Sequence, residues 1–227
     1  MFAVIFEVTP KKERWDDYLG FAKFLKPKLE AIDGFIDNER FKSKRIEGRL
    51  LSLSIWRNEK AVIRWRTQEQ HRGVQEKGRF EIFEDYHLRV GEVTADSAES
   101  PGLDLAQQRF DETETGTAKA VTLTELTPIE GRTIAADPDT LLPHLGLETR
   151  TVGLVEHEIF ESITAPGKLI LVLSWRDAET AGAWTPSAPG GVASLRHKRV
   201  RIIRDYGMFD RREAPQFYPA VKRAGAA

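Results

Sequence analysis

The sequence predicts an α+β fold in which two tandem βαββαβ units on one chain close a single-chain α+β barrel. Three observations predict it. The chain matches itself at an offset of about 120 residues. Each matching stretch alternates short β-rich runs with helical periodicity in the order β-α-β-β-α-β. A single sheet of that kind, with helices on one face, leaves its other face apolar and uncovered, and a second unit packed against it supplies the cover.

The internal matches come in order along the chain. Phe6-Glu7-Val8-Thr9-Pro10 returns as Thr124-Glu125-Leu126-Thr127-Pro128, so a strand ends at Glu-x-Thr-Pro twice, where proline lacks the donor to continue the ladder. Phe41 and Ser43, followed by Gly48, return as Phe160 and Ser162, followed by Gly167. The run Leu51 to Arg57 returns as Ile170 to Arg176, with tryptophan at Trp56 and Trp175 and again at Trp65 and Trp184. Arg79 to Tyr86, ending Asp85-Tyr86, returns as Arg199 to Tyr206, ending Asp205-Tyr206.

In the first unit, residues 1–93, Phe2 to Val8 reads as a strand. Trp15, Tyr18, Leu19, Ala22, Leu25, Leu29 and Ile32 recur at helical spacing, with a kink expected at Pro27 and a stop at Asp33-Gly34. Phe35 to Ser43 and Arg49 to Trp56 read as strands joined by a turn at Glu47-Gly48, and Asn58 as the N-cap of a helix through Trp65. A further helical stretch holds His71 and Val74, and Tyr86 to Val93 closes this ferredoxin-like unit. Residues 94–116 are polar and turn-rich and read as a linker. The second unit, residues 117–213, is degenerate: its first helix shortens to about Pro138 to Leu145, and Pro186-Ser-Ala-Pro-Gly-Gly191 replaces the stretch that holds His71. Residues 214–227 form a tail whose run Ala214 to Pro219 is expected to clamp across its own barrel or a neighbouring subunit. With both units on one chain, barrel assembly needs no partner, and a homodimer would form through other surfaces.

Composition narrows the function classes. The 34 basic and 35 acidic residues nearly cancel, and the net charge of -1 argues against a nucleic-acid partner. The absence of cysteine removes thiol nucleophiles, disulfides, iron–sulfur clusters and cysteine zinc sites. No apolar run approaches the roughly 20 residues a bilayer requires. The N-terminal run lacks the basic start and cleavage site of a signal peptide, so a cytoplasmic location is expected. No phosphate-cradling glycine loop, nucleophile elbow or dinucleotide fingerprint is present, which leaves flavin and nicotinamide without a familiar site.

Phe6-x-Val8-x-Pro10 on the first strand, Gly34-Phe35 after the first helix, Ser54-Ile-Trp-Arg-Asn-Glu-Lys-Ala61 and the Asp85-Tyr86 strand together resemble the antibiotic biosynthesis monooxygenase superfamily, a group of dimeric α+β barrels. The resemblance covers residues 1–93 well and 117–213 more weakly. It implies a small-molecule oxidoreductase of the monooxygenase type. Family members include cofactor-independent monooxygenases of quinol-type aromatics, quinol monooxygenases and haem-degrading enzymes. The haem-degrading members carry an asparagine on the first strand, a tryptophan on the second helix and an axial histidine one helix on. Trp65 matches the tryptophan, Glu7 stands near the asparagine's place, and His71 follows Trp65 more closely than in those members, with Gln75 nearer the expected position.

The leading expectation is oxygenation without a cofactor, in which a small aromatic or quinol-like substrate supplies the electrons from within the N-terminal half-barrel. Trp65, His71, Arg72 and Asn58 are the candidate catalytic residues; Glu7, Trp56, Arg79, Phe83 and Tyr86 are the candidate substrate-binding residues. The two repeated tryptophans, Trp56 and Trp65, read first as core packing. A lone helical histidine is more often a packing residue than a ligand, and no metal site is expected. Glu7 would gain a raised pKa if buried alone, but its repetition as Glu125 fits a structural role, and a charged edge position or pairing with Arg40 is the simpler expectation. The alternatives are a haem-binding or haem-degrading protein that uses His71, and a non-catalytic ligand-binding or stress-related protein of the same fold.

Overall fold

The computed structural model describes residues 1–98 and 105–222. The N-terminal half contains β1 (Phe2–Pro10), α1 (Trp15–Glu30), β2 (Phe35–Ser43), β3 (Leu50–Trp56), α2 (Glu59–Thr67), α3 (Glu69–Lys77) and β4 (Phe83–Asp96). The C-terminal half contains β5 (Ala120–Pro128), α4 (Pro138–His144), β6 (Leu154–Ser162), β7 (Leu169–Trp175), α5 (Ala178–Ala183) and β8 (Val192–Gly207). The strands form one closed antiparallel barrel in the order β1-β3-β2-β6-β7-β5-β8-β4. The two halves thus contribute the sequences β2-β3-β1-β4 and β6-β7-β5-β8. Instead of two sheets merely stacked face to face, both pairs of edges are hydrogen-bonded, briefly between β2 and β6 and along most of β4 and β8. Closure gives every strand a neighbour on both sides, although β2 and β6 pair only over Phe41–Ser43 and Phe160–Ser162.

Local signals place the ends of these elements. Pairing becomes irregular at Thr9/Pro10 and at Thr127/Pro128, where proline removes the ladder donor. Asn58 Oδ1 accepts the Ala61 amide at 3.0 Å and Asp177 accepts the Thr180 amide at 2.7 Å, so α2 and α5 start on the same kind of cap. Gly34 has φ +92, and a Cβ there would stand 2.7 Å from the Ala61 Cβ; Gly153 has φ +84 and the same crowding against Thr180. Each glycine lets the chain leave a turn directly beneath the cap of the following helix.

Alternation along the strands divides the side chains between two layers. Ala3, Ile5, Phe41, Leu51, Leu53 and Ile55 from one half meet Val121, Leu123, Phe160, Ile170, Val172, Val200 and Ile202 from the other inside the barrel. The outward residues pack under the helices. In the C-terminal half, Leu141, Leu142, Leu145 and Leu147 fill this outer layer around Trp175 and Trp184. In the N-terminal half, Phe2, Trp56, Ala61, Val62 and Leu29 form one cluster and Val8, Tyr18, Leu50 and Ile82 another.

Ion pairs cap the apolar interior. Glu7, on the same face as Ala3 and Ile5, pairs with Arg89 on β4, which donates to Ser174 Oγ on β7 at 2.7 Å. Arg49 stands 3.7 Å from the same carboxylate. The partner of Glu7 is therefore Arg89, across the β1–β4 ladder, and not Arg40. Glu125 pairs with Lys198 at 2.7 Å and with Lys168 at 2.9 Å, and Lys168 reaches Glu39 on β2 at 2.5 Å. Burial works to raise the Glu125 pKa, but the two lysines outweigh it and hold the carboxyl below its ordinary value.

Several boundaries differ from those expected of the sequence. β4 extends to Asp96, because β8 offers a partner along its whole length. A π-turn over Gly78–Ile82, which periodicity does not signal, joins α3 to β4. The described part of the linker is tied down: Glu92 accepts the Gln108 amide at 2.5 Å, and the Thr113 amide donates to the Ile202 carbonyl at 2.8 Å. Residues 99–104 and 223–227 lie outside the described residues. The tail lies across its own N-terminal half. Gln216 Nε2 donates to Gln75 Oε1 at 3.2 Å, and Arg79 donates to the carbonyls of Met208 at 2.7 Å and Pro219 at 3.2 Å. Among the described residues no helix is long and apolar enough to cross a membrane.

Two predictions concern these contacts. Arg89→Ala leaves Glu7 buried beside the more distant Arg49 alone and should cost about 3–5 kcal/mol in urea unfolding, most of it recovered in Glu7→Met/Arg89→Met. Arg79→Gln removes two anchors of the tail, so limited trypsin digestion should cut at Arg211 and Arg212 faster than in the parent protein while the barrel stays intact.

Candidate functional site

A cavity of about 190 Å³ lies in the N-terminal half, between the outer face of the sheet and α1, α2 and α3. Its floor is Val4 and Phe6 of β1, Asn38 and Arg40 of β2, Ser52 and Ser54 of β3, and Leu88 and Val90 of β4. Tyr18, Phe21 and Leu25 of α1, Trp65 and Arg66 of α2, and His71, Val74 and Gln75 of α3 form the walls. Gly78 opens the π-turn and Phe83 follows it, and a Cβ at Gly78 would stand 2.6 Å from the Phe83 ring, so only glycine admits that ring. Arg204 and Tyr206 of β8 and Pro215 of the tail complete the lining, and all three come from the C-terminal half. The corresponding layer of the C-terminal half is packed: Trp184 lies 6.1 Å from Trp175 and 5.2 Å from His197, and its indole donates to the Leu145 carbonyl at 3.2 Å.

His71 is the titratable group of the cavity with the most altered behaviour. Its ring stacks on Trp65 at 3.9 Å and 13°, and Nδ1 lies 2.8 Å from the Trp65 carbonyl. A carbonyl only accepts, so Nδ1 carries the hydrogen and Nε2 is left as the acceptor, 3.5 Å from Gln75 Nε2. Burial lowers its pKa to about 4, against the smaller opposing effect of the carbonyl, and the imidazole is neutral near pH 7.

The polar remainder of the wall is cationic and phenolic. Burial raises the Tyr206 pKa to about 12, reinforced by Tyr86 and opposed by Arg211, Arg66 and Arg204. Burial also raises Tyr18, against the charge and hydrogen bond of Arg40. The Nε atoms of Arg40 and Arg66 are buried without a hydrogen-bond partner. Glu59, the carboxylate on the rim, is held by both of its oxygens to Arg109 at 2.7 and 2.8 Å.

The antibiotic biosynthesis monooxygenase family profile matches residues 1–77. Jasmonate monooxygenase ABM of Pyricularia oryzae is 45% identical over 224 residues, spanning 96% of this chain and 99% of that protein. The chain belongs to the antibiotic biosynthesis monooxygenase family. At 12% identity the solved structures of aldoxime dehydratases share the fold alone. One, in complex with butyraldoxime, has a TM-score of 0.56 over 89% of this chain and 79% of that one, and a second has 0.54 over 88% and 80%.

Of the residues singled out in the sequence of this family member, the cavity brings together Trp65, His71 and Phe83. The others lie elsewhere. Asn58 caps α2, and Arg72 is exposed on the outer side of α3. Trp56 is fully buried beside Phe35 and donates to Ser54 Oγ at 2.9 Å. Glu7 faces the barrel interior, because its place in the alternation puts it opposite Phe6 and Val8. Arg79 secures the tail, and the Tyr86 hydroxyl accepts from Arg79 at 3.3 Å and from Arg211. Arg40, Arg66, Arg204, Tyr18 and Tyr206 were not singled out as site residues. Tyr206 was within reach, because it is the internal counterpart of Tyr86. Among the described residues no group of three or more His, Cys, Asp or Glu could hold a metal ion.

His71 and the packed His197, whose pKa burial and then Arg199 and Lys198 also lower to about 4, make stability depend on pH. Each binds its proton more readily in the unfolded chain than in the folded one, so stability falls as pH drops from about 6.5 toward 4. Each should contribute on the order of 3 kcal/mol of that loss at pH 4, and His71→Gln should flatten its share in urea titrations across this window.

Proposed function

We propose that the protein is a monooxygenase that oxidises a small, largely apolar carbonyl compound of the jasmonate kind in the N-terminal cavity, with electrons drawn from the substrate itself. The observation that carries this reading is the cavity, an apolar space bordered by one neutral imidazole with its acceptor nitrogen free of backbone partners. The related jasmonate monooxygenase supports the substrate class. Jasmonate is a cyclopentanone with a carboxylate on a hydrocarbon frame, and a ketone beside a CH₂ can enolise. A quinol meets the same electronic requirement.

In this reading His71 Nε2 takes the proton of the enol or quinol hydroxyl, and Arg40 and the Tyr18 hydroxyl stabilise the anion. The anion gives its electrons to O₂ and a carbon–oxygen bond forms. Protonation yields a hydroperoxide; loss of the second C–H proton with cleavage of the O–O bond releases water and leaves a carbonyl. The balance is CH₂ plus O₂ to C=O plus water, with no outside reductant. Trp65 and Phe83 hold the ring and exclude water.

Haem is the group that other members of the fold would suggest. His71 has a ligand's arrangement, with Nδ1 tied to a carbonyl and Nε2 as acceptor. His71 would then be the residue that holds the haem, as the single histidine of a largely apolar lining, and O₂ uptake with and without added haem separates that role from proton abstraction. We also read the two halves as copies of one ferredoxin-like unit, supported by the matching strand orders, caps and crowded glycines. In this reading only the first copy retains a site.

The test is O₂ uptake by the purified protein with jasmonate and no added reductant. Uptake is expected, with one oxygen atom from isotopically labelled O₂ in the product, and a fall of about 100-fold or more in His71→Ala. Uptake only after haem is added, with a Soret band lost in His71→Ala, would transfer the role of His71 to haem ligation. Binding without uptake under either condition would make the protein a ligand-binding member of the family.

A further inference from the structure

We infer that Arg66 and Arg204 form a carboxylate-binding end of the cavity, so that the substrate binds as a monoanion with its carboxylate as anchor and its ring as the reacting part. This rests on the cavity being the substrate site. It adds which end of the substrate goes where, and it makes charge the basis of selection.

Arg66 of α2 and Arg204 of β8 both line the cavity, and the charge of each works to lower the Tyr206 pKa. Neither half-buried side chain takes part in any ion pair among the described residues, whereas Arg89, Lys198 and Arg201 each do. The Arg66 Nε is buried and has no acceptor at all. A buried donor left unsatisfied is costly; Arg79, Arg89 and Arg201 have the same free Nε away from the cavity, but at Arg66 and Arg40 the atom belongs to the cavity lining, where a ligand can supply the acceptor. The acidic groups nearby do not meet the need. Glu59 is held at both oxygens by Arg109, and Asp111, whose carboxyl feels the Arg204 charge, is also paired to Arg109. Arg40 adds a third positive charge on the floor, where it works to lower the Tyr18 pKa. His71 contributes no charge at neutral pH. The local balance is therefore positive, although the whole chain is at -1. A planar fork is the geometry that binds a carboxylate through two parallel hydrogen bonds.

The anchor is assembled across the barrel. Arg66 belongs to the N-terminal half and Arg204 to the C-terminal half, and both line one cavity because β4 and β8 pair, with Leu88 opposite Tyr206 and Val90 opposite Arg204. The C-terminal half thus takes part in recognition although its own outer layer is packed.

The experiment is a binding titration, followed by tryptophan fluorescence without turnover, of jasmonate, methyl jasmonate and decanoate against the parent protein, Arg66→Gln, Arg204→Gln and Arg66→Lys. The acid should bind at least about tenfold more tightly than its ester. Each glutamine variant should weaken the acid by about tenfold to a hundredfold and leave the ester unchanged. Lysine should restore part of the loss, because it keeps the charge and not the fork. Equal affinity for acid and ester overturns the inference, as does parallel loss of both in the variants, or no binding of either acid. Because the readout needs no oxygen, arginine-dependent binding of the acid without O₂ uptake would uphold the anchor and overturn the proposed reaction.

Discussion

The inner face of each four-stranded sheet carries Ala, Val, Leu, Ile and Phe side chains that must be shielded from water, and the rest of the structure depends on how this is done. The two faces are pressed together and the strand edges hydrogen-bonded shut. Closure then forces the ends of the barrel to be polar. Glu7 with Arg89, and Glu125 with Lys198 and Lys168, pair charges that could not be buried singly. The same closure sets β8 beside β4 and so determines which residues of one half reach the outer layer of the other.

That outer layer is where the halves diverge. Both have a strand tryptophan in the core, Trp56 and Trp175, each hydrogen-bonded to a nearby hydroxyl. The second tryptophan behaves differently in each. Trp184 packs on Trp175 beneath the leucines of α4, whereas Trp65 stacks on His71 at the wall of a cavity. The long α1 and the added α3 hold the helical layer of the N-terminal half off its sheet. The short α4 and the proline-rich segment after α5 let the C-terminal layer collapse onto its own. A chain with two equivalent sheets therefore keeps one cavity-bearing layer and one solid one.

Within the cavity, desolvation acts in opposite directions on different groups. It strips the proton from His71 and keeps the protons on Tyr18 and Tyr206, so the imidazole is an acceptor and the phenols are donors at neutral pH. The arginines keep their charge. An acceptor on one wall and cationic and phenolic donors on others is an arrangement that can take a proton from a substrate and stabilise the anion that remains.

The sequence by itself determined the order of strands and helices, the proline stops, the helix caps and the alternation of apolar residues, because each depends on neighbours within a few positions. It also marked Trp65, His71 and Phe83, which lie on or beside the helices of one local unit. Only the tertiary structure decided the rest. The face on which Glu7 lies, the partner of Arg89, and the presence of Arg66, Arg204 and Tyr206 in one cavity lining depend on strand register and barrel closure between residues 82 or more positions apart. Asn58 and Arg79 show the same limit from the other side: their chemistry suited a site, but a helix cap and a tail anchor use the same donors and acceptors. Side-chain chemistry is written residue by residue, whereas the space it faces exists only once the barrel has closed.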